Sequence, residues 1–538
     1  MSPTATTSLH TGNTGPETRG GSPNRWIGLW VVAAGLALII LDGTIVGVAL
    51  PTIIGDLRLD LTQAQWVNSL YSVVFAALLL TTGRLGDRWG RKSIFLAGLV
   101  VFAGGSALAG LSGDSSSLIA SRVVQGLGGA MILPSTLSTV NATFTGKDRA
   151  AAFGVWGAVM SGAAALGPLL GGWLTHSFTW RWIFWVNLPI AAIVLIAAIV
   201  YVPQTRGKPA GRGVDVDGLL TSAIGFGALV LALIEGSELG WWRATGQFTV
   251  FGWDWPFALS PVPVFALIGV GFIALFVLWE RHRARVGRDA LLDLDLFAIK
   301  SFSVGSVTAL MVAIGEFALV LLLPLYLMNV AGLGVLNTGF VLAAMALGAF
   351  FSGASARHLA ARLTPVGVVV LGLALEVVGS ISVALAVGAR ASVWWLATFL
   401  VVYGIGLGLA SAQLTSTVLA GVPTELSGQG SATQSTIRQI GSALGSAVGG
   451  TALAAALAWF LPRRLAEAGA AAQSEQLTDA TIASVGGNLS APLPPEVLTA
   501  LQTGFAQSAA AAIMLAAAML ALGLLSSIVL TRLRTIKA

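Results

Sequence analysis

Apolar runs of about 20 residues recur along almost the whole chain. An α-helix rises about 1.5 Å per residue, so such a run spans the roughly 30 Å hydrocarbon core of a bilayer. Most of the chain is too apolar to form the surface of a water-soluble globule, because 56% of its 538 residues are hydrophobic and only 10% are charged. Fourteen windows occur, near 27–51, 63–83, 93–112, 116–138, 150–175, 182–203, 218–236, 260–280, 302–328, 336–356, 365–388, 393–418, 428–459 and 503–531. The sequence therefore predicts an all-α, polytopic membrane protein with fourteen transmembrane helices.

Cationic residues concentrate in alternate loops between these windows. Arginines and lysines cluster at 84–92, 206–212 and 281–288, and again near the carboxyl terminus at 532–537. Loops rich in arginine and lysine stay on the cytoplasmic side of a membrane. With an even number of helices both termini share that side, so we expect a multi-pass protein of the cytoplasmic (inner) membrane with both termini in the cytoplasm. Topology thus explains the net charge of +6 without a nucleic-acid partner.

The chain lacks the residues that most enzyme and metal sites need. It has no cysteine, and its four histidines are scattered through predicted loops and the amino-terminal tail. Disulfides, thiolate catalysis and metal centres of the H-E-x-x-H kind are therefore not expected. No phosphate-binding G-x-x-x-x-G-K-[ST] motif occurs either. We expect no metal, no cofactor and no enzymatic activity, and a membrane-embedded enzyme is the least favoured class.

The most concentrated polar stretch is the segment 83–92, which lies between the second and third windows and reads GRLGDRWGRK. Its glycines allow a tight reversal, and the Asp87 carboxylate can accept hydrogen bonds from the N-terminus of a neighbouring helix. The positive-inside rule alone would explain the cations, but not the ordered Gly83, Asp87 and Gly90. At every fixed position the segment resembles the loop signature G-x-L-x-D-R-x-G-R-[RK] of the major facilitator superfamily.

This resemblance implies a major facilitator fold, in which two six-helix halves surround a site near the middle of the membrane and expose it alternately to each side. It also implies a gating loop formed by Gly83, Asp87, Arg88, Gly90 and Arg91. A degenerate copy of the loop recurs at 353–362, where the first glycine and a closing cation remain but the aspartate is lost. The copy predicts that windows one to six and nine to fourteen are the two halves, and that windows seven and eight are an insert.

The expected organisation follows from this repeat. It comprises a tail at 1–25, a first half at 26–203, a linker with two extra helices at 204–300, a second half at 301–532 that includes an outer loop at 462–502, and a tail at 533–538. Residues 1–24 are polar and lack the features of a signal peptide, so the first apolar run is expected to remain as a helix.

One carboxylate lies among apolar neighbours in the first window. An Asp at the centre of a transmembrane helix costs about 2.5–3.5 kcal/mol, so Asp42 is expected to be protonated, paired or functional. Counting about 1.5 Å per residue from the helix ends brings Arg122, in the fourth window, to a similar depth. A helix–helix hydrogen bond is the structural alternative. We favour proton carriage by Asp42, with Arg122 as its partner.

Two further signatures lie in the fourth and fifth windows. The segment 118–130, LIASRVVQGLGGA, looks like the fourth-helix motif of proton-driven facilitators, with one departure at Gly129. The segment 163–172, AAALGPLLGG, is similar to the motif that distinguishes antiporters from symporters. Proline kinks a helix and glycines permit close packing. The resemblance implies an antiporter kink at Gly167, Pro168, Gly171 and Gly172.

The patterns at 41–51, LDGTIVGVALP, and at 180–190, WRWIFWVNLPI, narrow the resemblance to the fourteen-helix drug:proton antiporters. Relatives usually carry Asn where this chain has Gly47, which argues against a substrate contact at that position. Among members, the exporters by which actinomycetes expel their own aromatic polyketides, such as tetracenomycin, are nearest in size and arginine bias.

The second half also has charges inside its windows. Glu316, Glu376 and Arg438 each fall well within an apolar run. Each can be explained as a tie between helices. Relatives that handle cations often place an acidic residue in the cavity, so Glu316 is the candidate for the substrate or a second proton, with Glu376 ranked lower. Glu235 is expected at the membrane interface. The predicted proton-coupling set is Asp42, Arg122, Glu316 and Arg438.

An apolar cavity between the halves, with sparse polar groups, would suit flat hydrophobic ligands. The candidates for its lining are Trp66, Tyr71, Phe75, Trp156, Tyr326 and Gln434. Most aromatic side chains in such a protein face lipid or neighbouring helices, so only part of this set is expected to touch the substrate.

The predicted function is a proton-coupled antiporter that exports lipophilic drugs or antibiotics from the cytoplasm by alternating access, driven by the proton motive force. Its expected partners are a small lipophilic substrate, protons and the lipid bilayer, and a monomer is favoured. The alternative is an exporter of lipid or glycolipid with the same fold.

Overall fold

A computed structural model of the chain describes residues 24–59, 61–207, 215–244, 248–250, 253–288, 290–388, 390, 392–483 and 493–535. Residues 1–23 of the expected amino-terminal tail and 536–538 of the expected carboxyl-terminal tail lie outside this part of the chain, together with residues 208–214 of the linker and 484–492 of the outer loop. The described residues are helical almost throughout.

Seven helices form the first part of the chain. They are α1 (Asn24–Leu57), α2 (Leu61–Trp89), α3 (Arg91–Leu111), α4 (Ser115–Thr143), α5 (Gly146–Ser177), α6 (Trp182–Trp185) and α7 (Asn187–Tyr201). Val186 alone separates α6 from α7, and together they form one membrane-length segment. Asp114 caps α4 by accepting a hydrogen bond from the Ser117 amide at 2.9 Å. Hydrogen bonds from Ser116 and Ser117 hold the pKa of Asp114 below its usual value.

The remaining helices are α8 (Val216–Leu239), α9 (Pro261–Arg285), α10 (Lys300–Asn329), α11 (Val335–Gly388), α12 (Val393–Val418), α13 (Ser427–Glu467), α14 (Ser474–Ala483) and α15 (Pro495–Thr535). A short antiparallel hairpin of β1 (Thr249–Val250) and β2 (Trp253–Asp254) lies between α8 and α9. The predicted outer loop at 462–502 therefore contains the end of α13, all of α14 and the start of α15.

Helix α11 reverses direction within its length. Thr364 has a φ of 66°, and Pro365 follows it, so the regular helical geometry is interrupted there. Before this break α11 runs parallel to α12, and after it the two run antiparallel, as shown by the close pairs Gly348 with Val401, Ser352 with Gly408, Gly372 with Gly406, and Gly379 with Tyr403. Helix α11 therefore comprises two antiparallel membrane segments.

Within the described residues, twelve helical segments are long and apolar enough to cross a membrane. The other two predicted windows, 63–83 and 150–175, coincide with α2 and α5, which have 29 and 32 residues. These helices are about 44 Å and 48 Å long at 1.5 Å per residue, which is long enough to cross the hydrocarbon core. Helices thus occupy all fourteen predicted windows, and the all-α polytopic fold class is confirmed.

The two halves pack internally and against each other. In the first half α1 packs on α5 and α7, and α3 packs on α4; in the second, α10 packs on α13 and α15. The halves meet where α5 packs on α11 and α12, and where α2 and α4 pack on α13. The inserted pair α8 and α9 pack together, and α8 contacts both α2 and α13. The insert therefore flanks the interface between α2 and α13.

Candidate functional site

A buried ion pair lies inside the first half. Arg122 of α4 donates from Nη1 to Oδ2 of Asp42 on α1 at 2.5 Å. The two side chains are only 1% and 0% exposed. Arg122 Nε also donates to the Val67 carbonyl at 3.3 Å, and its guanidinium carbon lies 4.1 Å from the centre of the Tyr71 ring. The structure thus brings together the two residues that were predicted to share one depth.

The second carboxylate oxygen of Asp42 is also satisfied. Its Oδ1 accepts from Nε2 of Gln125 at 3.0 Å and from Nδ2 of Asn187 at 2.8 Å. Asn187 Nδ2 also donates to Ser106 Oγ at 3.0 Å, and this hydroxyl donates to the Phe184 carbonyl at 2.9 Å. Asp42 therefore accepts hydrogen bonds from three side chains, an arrangement that suits the ionised carboxylate.

Sequence reasoning missed the roles of Gln125, Asn187 and Ser106. The first two stand inside the motifs at 118–130 and 180–190, and this is the signal that could have found them. A buried amide or hydroxyl carries a smaller cost than a buried charge, so a search for charges inside apolar windows passes over them.

Helix α5 packs closely on α1 beside the ion pair. A methyl group at Gly167 would overlap Thr44, and one at Gly171 would lie 3.0 Å from the Ile45 carbonyl oxygen. Both glycines therefore permit close helix approach two to three residues from Asp42.

The other two residues of the predicted antiporter kink, Gly172 and Pro168, differ from Gly167 and Gly171. A Cβ at Gly172 would have no atom within 4 Å, so this glycine takes no part in the contact with α1. The helix is continuous past Pro168, whose side chain lies outside the described part of the structure. The proline therefore does not interrupt α5.

Asp87 links the two halves at the end of the bundle that carries the gating loop. Its Oδ1 accepts from Nη2 and Nε of Arg91 at 2.8 and 3.1 Å, and its Oδ2 accepts the backbone N–H of Gln429 at 3.1 Å. Gln429 is the third residue of α13, so the carboxylate lies at the positive end of a 41-residue helix. Asp87 and Arg91 are 2% and 0% exposed. The hydrogen bond from a helix N-terminus to Asp87 was expected from the sequence.

The shape of the gating loop differs from the sequence expectation. Helix α2 continues through Trp89, and the reversal occurs at Gly90, whose φ of 106° favours glycine. Helical geometry satisfies the backbone groups of this partly buried stretch, which an open loop would leave unpaired. Gly83 instead permits close contact between the halves, because a Cβ there would overlap Ala432. Arg88 is half-buried in the last turn of α2.

Two more hydrogen bonds join the halves at this end of the bundle. Asn141 of α4 donates from Nδ2 to Ser427 Oγ of α13 at 2.8 Å. Arg149 of α5 donates from Nη2 to the Ser416 carbonyl of α12 at 3.4 Å. The bundle is therefore closed between its halves at the gating-loop end.

The opposite end of the first half has its own polar contact. Asp56, in the last turn of α1, accepts from Nε1 of Trp180 at 2.8 Å and from Nη1 of Arg181 at 3.0 Å. These hydrogen bonds hold the pKa of Asp56 below its usual value. They tie the end of α1 to the entry of α6.

A second ion pair lies inside the second half. Arg438 of α13 donates from Nη2 to Oε2 of Glu316 on α10 at 3.0 Å, and the two side chains are 26% and 6% exposed. Glu376 of α11 is fully buried within electrostatic range of both. Across the described residues, no group of three or more histidine, cysteine, aspartate or glutamate side chains could hold a metal ion.

Glu235 was expected at the membrane interface, and it lies about one turn from the end of α8. Its side chain is only 3% exposed. The Trp241 ring folds back over the end of α8, where a Cβ at Gly236 would lie 2.7 Å from it. Glu235 is therefore covered by protein.

The predicted cavity residues divide between different surroundings. In the first half Tyr71 and Phe75 stack with 6.0 Å between ring centres, next to Arg122. Trp156 donates from Nε1 to Thr136 Oγ1 at 3.4 Å. All three rings are buried.

The other three cavity candidates lie elsewhere. Gln434 donates from Nε2 to Thr415 Oγ1 at 3.0 Å, and Tyr326 is buried in α10. The Trp66 ring lies 6.1 Å from that of Phe248, which belongs to the insert. Trp66 therefore packs on the segment between α8 and α9.

An open groove of about 530 Å³ lies between α11 and α12. Its lining is mostly apolar and comprises Ala344, Leu347, Gly348, Phe351, Ser352, Ser355, Val401 and Ile405. The six predicted cavity residues do not line it. Because Phe351 and Leu347 are 66% and 58% exposed, the groove lies on the outer surface of the bundle.

The chain is similar to transport and resistance proteins of Mycobacterium and Streptomyces. It is 33% identical to the multidrug resistance protein Stp of Mycobacterium tuberculosis, over 83% of this chain and 79% of Stp. It is 30% identical to the tetracenomycin C resistance and export protein of Streptomyces glaucescens, over 82% and 78% of the two chains. It is 32% identical to the puromycin resistance protein pur8 of Streptomyces alboniger, over 82% and 84%.

Solved structures share the fold. The human organic anion transporter MFSD10 (TETRAN) matches with a TM-score of 0.59 and 15% identity, over 94% of this chain and all of that one. The proton:xylose symporter XylE matches with a TM-score of 0.59 and 10% identity, over 94% and 95%. At these identities the likeness concerns the fold alone.

A family model covers most of the same region. It matches residues 32–221 and 216–446, well over half of the chain. This match agrees with the helical architecture and with the relatives named above. The chain is therefore a multi-pass membrane transporter, not an enzyme, and it belongs to the Major Facilitator Superfamily.

Proposed function

We propose that this transporter is a proton-coupled antiporter that exports lipophilic drugs or antibiotics from a bacterial cytoplasm. The observation that carries the proposal is the Asp42–Arg122 ion pair, buried in the membrane-spanning part of the first half. The names of the relatives support the substrate class, since they include a multidrug resistance protein and two antibiotic resistance proteins. The proton motive force supplies the energy, and no cofactor is required.

Protonation of Asp42 is the coupling step in this mechanism. Removing one partner's charge from a buried ion pair costs about 3–5 kcal/mol, because the remaining charge is left without compensation. When Asp42 is protonated, the Arg122 guanidinium loses its ionic partner. It can form other contacts only if α1 and α4 shift. One charge crossing 100 mV supplies about 2.3 kcal/mol, and each pH unit adds about 1.4 kcal/mol. The free energy supplied by one proton is therefore similar in size to the cost of breaking the ion pair.

Alternating access follows from the contacts at the gating-loop end. We place this end in the cytoplasm, because cations concentrate in the loops there. The Asp87 contacts then hold the cytoplasmic side closed while Asp42 is ionised. We assign this arrangement to the stage of the cycle that awaits a proton from outside. Protonation of Asp42 moves α1 and α4, releases the gate and admits substrate from the cytoplasm.

The cavity of this transporter takes small lipophilic molecules, including flat aromatic compounds and lipophilic cations. Tyr71 and Phe75 supply an aromatic surface beside Arg122, so substrate and proton compete for neighbouring groups. Because both halves and both ion pairs lie in one chain, a monomer is sufficient for the cycle.

Export of lipid or glycolipid is the second candidate. The observation that favours it is the apolar groove between α11 and α12, which is open on the outer surface of the bundle and suits an acyl chain. Reconstituted protein that moves a fluorescent phospholipid faster than it moves ethidium would favour this candidate over drug export.

The orientation of the chain is testable because it has no native cysteine. Gly113 is exposed between α3 and α4, and Asp217 is exposed at the start of α8, at the gating-loop end. We expect a membrane-impermeant maleimide to label the Gly113→Cys variant in intact cells and the Asp217→Cys variant only after permeabilisation. The reverse labelling pattern would contradict the proposed orientation.

The Asp42→Asn variant tests the coupling step. Its carboxamide cannot exchange a proton, so in proteoliposomes with an imposed pH gradient we expect ethidium to equilibrate to a ratio of about one. Ethidium binding, measured by fluorescence, should remain within a few-fold of wild type. The matched control is Asp217→Asn, an exposed carboxylate that should retain uphill transport. Uphill transport by Asp42→Asn would remove Asp42 from the proton role.

The Asp87→Asn variant tests the gate. Its side chain can still accept the Gln429 amide, but it loses the ionic contact with Arg91 and much of the attraction to the helix terminus. A loss of about 1–2 kcal/mol from the closed state corresponds to a turnover lower by roughly 5- to 30-fold. Membrane insertion should be unchanged. Wild-type turnover, at equal protein amounts, would show that Asp87 is not a gating residue.

A further inference from the structure

Among its described residues, the second half contains two buried carboxylates, and only one of them has an arginine as an ion-pair partner. Glu316 on α10 pairs with Arg438 on α13 at 3.0 Å through one of its oxygens. Its other oxygen, Oε1, has no hydrogen-bond partner among the described residues. Glu376 on α11 lies within electrostatic range of both groups. This differs from the first half, where one carboxylate meets one guanidinium.

Glu376 is enclosed by protein on all sides. It is 0% exposed, and neither of its carboxyl oxygens has a hydrogen-bond partner in the described part of the chain. Helix α12 packs directly against it, because a Cβ at Gly406 would lie 2.9 Å from Glu376 Cγ. One turn earlier on α12 is Tyr403, which is also fully buried and whose hydroxyl also lacks a partner there.

The titratable and charged groups within electrostatic range of Glu376 are Glu316 from α10, Tyr403 from α12 and Arg438 from α13. If both carboxylates were ionised, this cluster would hold one uncompensated negative charge in a low-dielectric site. An isolated buried carboxylate is so unfavourable that the group normally takes up a proton. One proton among the two carboxyl groups removes the imbalance.

One member of the cluster is partly exposed. Arg438 is 26% exposed, whereas Glu316 and Glu376 are 6% and 0% exposed. The arginine is therefore the most exposed of these three side chains. If the flexible Arg438 side chain turned from Glu316 towards Glu376, the proton would change place with it.

We propose that Glu316 and Glu376 share one exchangeable proton, so that the second half contains a proton site of its own, in which Arg438 pairs with whichever carboxylate is ionised. Glu376 is thereby assigned as a proton-binding residue together with Glu316. The exchange of this proton during transport rests on the proposed antiport function, whereas the shared proton itself does not.

The shared proton can be measured without transport. Infrared difference spectra of the purified protein at neutral pH separate the carbonyl band of a protonated carboxyl group from the bands of carboxylates. We expect such a band in wild type, and we expect it to lose the intensity of one carboxyl group in both Glu376→Gln and Glu316→Gln. In either variant the remaining carboxylate pairs with Arg438 and gives up its proton.

The control for this spectrum is Ser380→Ala, one turn along α11, whose hydroxyl donates only to the Val377 carbonyl of its own helix at 3.0 Å. The band should persist in this variant. A band that keeps its full intensity in Glu316→Gln but not in Glu376→Gln would show a proton fixed on Glu376 and not shared. A band unchanged by both glutamine substitutions would overturn the site altogether.

Transport stoichiometry tests the exchange. With the membrane potential clamped at zero, the logarithm of the steady-state ethidium ratio rises with the pH gradient by the number of protons exchanged. We expect a slope of about two for wild type and about one for Glu376→Gln. Asp42→Asn should still give a slope of zero, because in the proposed mechanism protonation of Asp42 is the step that moves the helices. A wild-type slope of about one would overturn exchange at this site and leave the antiport function intact. A slope of zero would instead overturn the antiport function, while the infrared result would still stand.

Discussion

The structure depends on an ion pair in the membrane-spanning part of the first half, where an unpaired charge is unfavourable. Asp42 and Arg122 have almost no solvent exposure, and their 2.5 Å contact compensates two charges that neither helix could insert cheaply alone. Residues of the surrounding helices contact this ion pair or pack beside it. Gln125 and Asn187 satisfy the second carboxylate oxygen, and the close contact at Gly167 holds α5 against α1. Because the pair is stable only while both groups are charged, one proton suffices to disturb the whole cluster.

The gate uses the same chemistry in a different place. Asp87 also pairs with an arginine, but its second oxygen reaches across the interface to the first turn of α13. Helix α13 carries Arg438 about three turns further along. One helix therefore contacts the gate at its N-terminus and the second-half charge cluster within the membrane. A movement of α13 would act on both, which gives the two halves a direct mechanical connection.

The sequence predicted the helices well because a 20-residue apolar window is a strong signal that requires no knowledge of packing. It also predicted the Asp42–Arg122 contact, since depth along a transmembrane helix follows from residue counting. Other features depend on information that a single sequence lacks. The direction in which Trp66 points, the burial of Glu235 and the neutral donors around Asp42 all follow from how helices are rotated and packed. The helical course of 83–89 was missed because its glycines and charges are also typical of a loop.

The central claim is that Asp42 exchanges a proton when substrate binds. Titration calorimetry of purified protein with ethidium, at one pH and in buffers of different ionisation enthalpy, counts the protons released for each ethidium bound. The account predicts that Asp42→Asn releases about one proton fewer than wild type, whatever other groups contribute. Equal release from the two proteins, or no release from wild type, would contradict it.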